Sequence, residues 1–157
     1  MAHDRTRLDL DGQPSGPGVP GDPVTVYLDS SALVGLILDG PARPVVLKAL
    51  DSDADWCASA LALSEALTAS ARLSEEEVLI QDLEDALRLF WDRVAVVPVD
   101  QMCLDRAADI GRQQPVRMSD AIHLSAADRL PRPVRFVTFD PGQIPVALAL
   151  GFDVVST

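Results

Sequence analysis

The chain has little of what many binding and catalytic classes require. Of its 157 residues a single one, Lys48, is lysine, and its acids outnumber lysine plus arginine 24 to 13, leaving a formal net charge of −11. Modules that grip duplex phosphates are normally basic, and no stripe of Lys and Arg runs along this chain, so tight nonspecific nucleic-acid binding is disfavoured. The two cysteines, Cys57 and Cys103, form no Cys-x-x-Cys pair and no Cys/His cluster. A zinc centre is therefore not expected, and both read as reduced, buried thiols. Long apolar runs are missing too. The longest candidate, residues 32–38, falls far short of the roughly 18 needed to cross a bilayer. No basic-then-apolar leader opens the sequence, so a soluble, cytoplasmic protein is expected. There is no Gly-rich phosphate loop, no nucleophile elbow and no His-Glu-x-x-His. A receiver-type phosphoacceptor needs an additional acid pair and a late lysine. A dehalogenase-type phosphatase needs Asp-x-Asp after its first strand, where this chain has Asp29-Ser30-Ser31.

What is present supports one folded domain. Hydrophobic residues make up 48% of the chain, enough to bury a core. Residues 1–23 are rich in Gly, Pro and Asp and cannot offset their ordering entropy by burial. They are read as a flexible tail, with the domain spanning 24–157. From there strand-like and helix-like segments alternate. Residues 24–28 are β-branched and aromatic, a buried strand, followed by N-cap chemistry at Asp29-Ser30-Ser31. Helices are expected at 32–38, 45–50, 61–73, 101–112, 119–130 and 144–150, the last stopped by Gly151. Ser119 is the expected cap of the fifth. Ser74-Glu75-Glu76-Glu77 has the form of a capping box, and Leu79, Leu83, Leu87 and Phe90 continue at helical spacing. Further strands are expected at 55–58, 94–97, 135–139 and 152–155. Such alternation predicts an α/β fold with a mostly parallel central sheet covered by helices on both faces.

In parallel sheets ligands sit outside the carboxyl ends of the strands, and two acids fall there: Asp29 after the first strand and Asp140 after the fourth. Glu65 lies in the apolar helix 61–73 and Asp120 opens an Ala-rich helix. Each has an ordinary reading as well: a helix cap for Asp29, a surface glutamate, a dipole-compensating first-turn acid for Asp120, a turn acid for Asp140. Together they form a set of oxygen donors of the kind Mg²⁺ or Mn²⁺ prefers. Crowded carboxylates repel, so raised pKa values are expected among them. Ser30 and Thr138 are candidates to orient a carboxylate or a water. Arg117, one turn before Asp120, is placed to touch a phosphate or Asp120 itself. His123 shares a helix face with Asp120, as a packed residue or a supporting one.

Four blocks carry a family resemblance. Val26-Tyr27-Leu28-Asp29-Ser30-Ser31-Ala32-Leu33 resembles the opening strand and first acid of PIN domains. Residues Ser59 to Leu67, with Glu65, resemble the helix of the second acid. Arg117-Met118-Ser119-Asp120-Ala121-Ile122-His123-Leu124 resembles the helix of the third, and is the most specific match. Phe136-Val137-Thr138-Phe139-Asp140, with the following Ala/Leu helix and Gly151, resembles the final block. The chain departs from the pattern in its N-terminal extension and in Pro141, Gly142 and Pro145. The resemblance implies a three-layer α/β/α fold and a Mg²⁺- or Mn²⁺-dependent ribonuclease acting on RNA, of the compact VapC-like toxin branch, often dimeric and held inactive by a cognate antitoxin. It also implies that Asp29, Glu65 and Asp120 hold one ion, with Asp140 completing that site or helping a second. A housekeeping RNA-processing PIN nuclease and a binding module that has lost catalysis are the alternatives.

Overall fold

The structure, a computed structural model, describes residues 24–50 and 55–157; the N-terminal stretch read as a tail lies outside them. The elements run β1 (Thr25–Leu28), α1 (Ser30–Ile37), α2 (Ala42–Leu50), β2 (Asp55–Ser59), α3 (Ala60–Ala71), α4 (Glu77–Trp91), β3 (Ala95–Val97), α5 (Gln101–Gln113), α6 (Met118–Asp128), β4 (Val134–Val137), α7 (Ile144–Ala149) and β5 (Asp153–Val155). The strands form one sheet in the order β3-β2-β1-β4-β5, and every pairing is parallel.

Alternation along each strand sorts the core into two layers. Tyr27 aligns with Cys57 on one side and Phe136 on the other. These three point into the layer filled by Cys103, Ala107 and Ile110 of α5, Leu124 of α6 and Val146 of α7. Val26, Leu28, Ala58 and Val137 point the opposite way, against Leu33 and Leu36 of α1, Val46 of α2, Ala62 and Ala66 of α3 and Leu87 of α4. Both faces are buried, as a parallel sheet requires, and the three-layer α/β/α architecture expected from the sequence is what the chain adopts.

The strand order fixes where a ligand belongs. After β1 the chain builds outward through β2 and β3, then returns to lay β4 on the other flank of β1. The β1/β4 boundary is thus the topological switch point, and the crevice beyond the carboxyl ends of those strands is the natural site.

Local chemistry explains the element starts, including two that differ from expectation. Asp29 caps α1 by accepting from the Ala32 amide, Ser59 caps α3 through the Leu61 amide, and Asp100 caps α5 through the Cys103 amide. The capping box at residues 74–77 does not form. Ser74 Oγ accepts instead from the Glu76 amide, two residues on, at 3.0 Å. That local turn holds residues 74–76 out of the helix, and α4 begins at Glu77 with no side-chain cap. Ser119 does not cap α6 either: the helix starts one residue earlier, and its N-cap position is Arg117. Gly151 closes α7 at φ 83°, a backbone region that favours glycine. Gly35 in α1 is needed for space, since a Cβ there would meet Ala42 Cβ at 3.0 Å and the Phe139 ring at 3.2 Å. That close approach brings the segment after β4 down onto α1.

Candidate active site

Asp29 stands at the switch point, held by both flanking segments. It is 1% exposed. Its Oδ1 accepts from Ser31 Oγ at 2.6 Å and from the Ala32 amide at 2.9 Å, and its Oδ2 accepts from Thr138 Oγ1 at 2.6 Å. Burial pushes its pKa above the ordinary carboxylate range, against the opposing pull of the hydrogen bonds from Ser31 and Thr138. The raised pKa expected of a crowded acid is therefore present at Asp29, but desolvation leads its causes rather than repulsion between carboxylates. Thr138 carries the connection onward: its Oγ1 also accepts from the Asp140 amide at 3.1 Å. The serine that reaches Asp29 is Ser31, one residue beyond Ser30, and Ser31 Oγ also accepts from the Phe139 amide at 2.9 Å, which ties α1 to the end of β4.

Asp120 and Asp140 form a second group, joined through Arg117. The Arg117 Nε donates to Asp120 Oδ2 at 3.0 Å, and its Nη2 donates to Asp140 Oδ2 at 2.9 Å. Asp120 is buried in the first turn of α6, whereas Arg117 is 74% exposed. Asp140 also accepts from the Gly142 amide at 2.9 Å, so the Pro141-Gly142 segment folds back on its own carboxylate. Gln143, buried at the start of α7, donates from Nε2 to Asp120 Oδ1 at 2.9 Å.

Glu65 belongs to a third group, centred on His123. The Tyr27 hydroxyl accepts from the Ser59 amide at 3.2 Å and lies 2.9 Å from His123 Nδ1. Burial pushes the Tyr27 pKa far up, so the phenol keeps its proton. When that proton is directed to Nδ1, 2.9 Å away, Nε2 is the ring nitrogen that donates. Nε2–H then donates to Glu65 Oε1 at 2.5 Å. The chain Ser59–Tyr27–His123–Glu65 links β2, β1, α6 and α3 and fixes one oxygen of a carboxylate that is otherwise 31% exposed.

Of the four acids singled out by the sequence, Asp29, Asp120 and Asp140 are thus linked through Thr138 and Arg117, while Glu65 is held separately by His123, on the same helix as Asp120. Among the described residues no three His, Cys, Asp or Glu side chains converge closely enough to hold a bare ion. The donor set is nonetheless entirely carboxylate oxygen, the chemistry Mg²⁺ and Mn²⁺ take. A small ion that keeps several of its waters bridges longer gaps than a fully dehydrated one. The Asp120–Asp140 pair already accommodates positive charge, in the form of Arg117. The residues fit a hydrated divalent ion better than a naked one. Tyr27, Ser31, Ser59 and Gln143 escape a reading of the sequence. Tyr27 reads as a strand aromatic and Ser59 as a residue between elements. Gln143 has no neighbour pattern to mark it, and only its burial beside Asp120 does so.

The cysteines stand apart from this chemistry. Both are free and buried, and burial, with Asp55 nearby, pushes the Cys57 thiol up to about 12. No helix of the described residues is long and apolar enough to cross a membrane.

Comparison with known proteins places the architecture. The family model of the PIN domain matches residues 26–148, a span that takes in all four acids. No curated protein matches the chain significantly. Among solved structures, a toxin–antitoxin complex from Klebsiella pneumoniae is similar at a TM-score of 0.62 and 17% identity, covering 83% of this chain and 96% of that one. VapBC2 from Rickettsia felis, bound to a DNA fragment from its promoter, is similar at 0.63 and 14%, covering 83% and 98%. VapBC-5 from Mycobacterium tuberculosis is similar at 0.61 and 18%, covering 87% and 100%. At these identities the structures speak for the fold, and the sequence match speaks for the family: the chain belongs to the PIN domain family.

Proposed function

We propose that this protein is a metal-dependent endoribonuclease, cleaving RNA phosphodiester bonds with Mg²⁺ or Mn²⁺, and that it is the toxin of a toxin–antitoxin pair. One observation carries the nuclease reading: Asp29, Asp120 and Asp140 gather at the β1/β4 switch point, joined through the Thr138 hydroxyl and the Arg117 guanidinium. Bound there, a divalent ion supplies a polarised phosphate and an acidified water. The protein's own groups do the rest. Asp29, Glu65 and Asp120 supply its negative charge, with Asp140 at the open side. Thr138 and Ser31 hold Asp29 in one orientation, and His123 does the same for Glu65. Arg117, exposed at the rim, is the group suited to neutralise an approaching phosphate.

The partner reading draws on the similar toxin–antitoxin complexes and on the surface. Val78 and Leu89 of α4 are 76% and 73% exposed, and Leu79 of the same helix is also exposed. In α1, by contrast, Ala32, Leu33 and Leu36 are buried, so of these two apolar helices it is α4 that leaves apolar surface open. We assign that face to a homodimer contact. A basic side chain from a small antitoxin, laid on the acidic crevice, would compete with the ion. Action in the cytoplasm follows from an RNA target.

The test is cleavage of a structured RNA by purified protein. Cleavage that appears with Mg²⁺ or Mn²⁺, stops with chelator and returns on adding the ion back is the expected result. Cleavage that survives thorough chelation would overturn the carboxylate–ion mechanism. Expression without a partner should arrest bacterial growth; unaffected growth would remove the toxin reading and leave a housekeeping nuclease.

A further inference from the structure

Gln143 is a buried polar side chain with a job half visible. It is 2% exposed. Its backbone amide donates to the Asp140 carbonyl at 3.1 Å, so the turn after Asp140 sets its position. Its Nε2 donates to Asp120 Oδ1. Its Oε1 is buried and has no hydrogen-bond partner. The amide cannot be turned over to relieve this, because Oε1 would then face a carboxylate oxygen with no proton between them. The orphaned oxygen shares one planar amide with the nitrogen that holds Asp120. A buried acceptor without a donor is costly and rare, and it asks what donor the protein expects. The groups already placed around Asp120 and Asp140 do not supply one: carboxylates only accept, and the Arg117 contacts run to Asp120 and Asp140.

We propose that Gln143 is a positioning residue for the divalent ion. Nε2 holds Asp120 Oδ1, and Oε1 accepts a hydrogen bond from the hydration shell of the ion. A hydrated cation brings the O–H donors that this pocket of acceptors lacks, and Gln143 joins the carboxylates without adding charge. The proposal rests on the metal-dependent reading above. It extends the site from four acids to an amide that neither composition nor spacing reveals.

Mn²⁺ binding separates the two ideas, measured by calorimetry and by electron paramagnetic resonance on the full chain, with no RNA present. The set is the parent, Asp120→Asn, Gln143→Met and Gln143→Glu. Methionine nearly preserves shape and removes both the donor and the orphaned oxygen. Gln143→Met relieves the orphaned oxygen but takes a donor from Asp120, two opposing effects on the melting temperature without ion, and it should weaken Mn²⁺ binding by about 10- to 100-fold, the range typical of groups that support ligands. Gln143→Glu puts a carboxylate against Asp120; it should melt lower without ion and gain more from Mn²⁺ than the parent does. If the parent and Asp120→Asn bind Mn²⁺ alike, or neither binds, the metal reading fails and takes this inference with it. If Asp120→Asn loses binding while Gln143→Met binds like the parent, the metal reading stands and the role of Gln143 is overturned. That role is overturned equally if Gln143→Met binds Mn²⁺ normally and shows only a raised KM for RNA.

Discussion

Helices α4 and α6 are both regular α-helices but are built on opposite plans. The fifteen residues of α4 place Leu83 and Leu87 inward and turn most of the remaining face to solvent. In α6 seven of eleven residues are buried, and three of those are polar: Asp120, His123 and Ser125. An amphipathic stripe is what a surface helix needs to find its sheet. A helix that is buried nearly all round and still carries an acid and an imidazole holds them at a cost in desolvation. Its polar groups are each satisfied from another element: Asp120 by Gln143, His123 by Tyr27 and Glu65, and Ser125 by the Cys103 carbonyl at 2.7 Å. The contrast teaches that periodicity reports where a helix packs. Buried polarity, with partners drawn from several elements, reports where the chemistry is.

The comparison breaks most decisively at the acids. Asp120→Asn, Asp29→Asn and Glu65→Gln should each cut RNA cleavage by more than the roughly 10–100-fold typical of groups that only support a ligand. Circular dichroism should show each variant folded. Asp140→Asn, on the more exposed side of the group, should lose less. His123→Ala comes next. It strips Tyr27 and Glu65 of a partner and leaves a void, so about 2–4 kcal/mol of stability should go, read by urea unfolding. Cleavage should fall about 10- to 100-fold as Glu65 loosens.

Leu87→Ala, the matching deletion in the inward face of α4, should cost about 2–5 kcal/mol and leave cleavage per folded molecule unchanged. Equal losses of activity from Leu87→Ala and His123→Ala would erase the distinction between the two helices. At the small end, Leu89→Glu on the outer face of α4 should change monomer stability by no more than about 0.5 kcal/mol. It should shift sedimentation toward monomer if α4 is the dimer face. Glu75→Gln, in the turn before α4, should alter neither activity nor stability measurably.

A pH prediction sharpens the same contrast. Asp29 has a folded pKa raised by burial. Its contribution to stability is therefore fully present below the ordinary carboxylate pKa and is lost as pH rises through the raised folded value. Relative to the parent, Asp29→Asn should gain stability on going from mildly acidic to neutral pH in the absence of ion. A variant whose stability follows the parent across that range would show that the Asp29 charge carries no penalty in the fold.

Much of the fold is legible in the sequence, because strands at 25–28 and 134–137 are short β-branched runs and the helices carry Ala and Leu at helical spacing. Asp29 is legible as an acid directly after a strand; Asp140 is expected to end the strand at 135–139, but β4 stops at Val137 and Asp140 sits in the segment beyond it. Boundaries fail where a side chain chooses a local partner: Ser74 takes the Glu76 amide and delays α4, and Arg117 rather than Ser119 stands at the start of α6. The supporting residues fail for another reason. Tyr27 meets His123 across 96 positions and Thr138 meets Asp29 across 109, so no window of sequence holds both partners. Nothing short of the packed sheet brings them together.

The central claim is that the acids at the β1/β4 switch point act as one unit. A double-mutant cycle on RNA cleavage tests it most directly, using Asp29→Asn, Asp120→Asn and the double variant at saturating Mn²⁺. Groups that share one ion are strongly non-additive, so the double variant should cleave no more slowly than the worse single one. Losses that multiply, or either single variant cleaving like the parent, would contradict it.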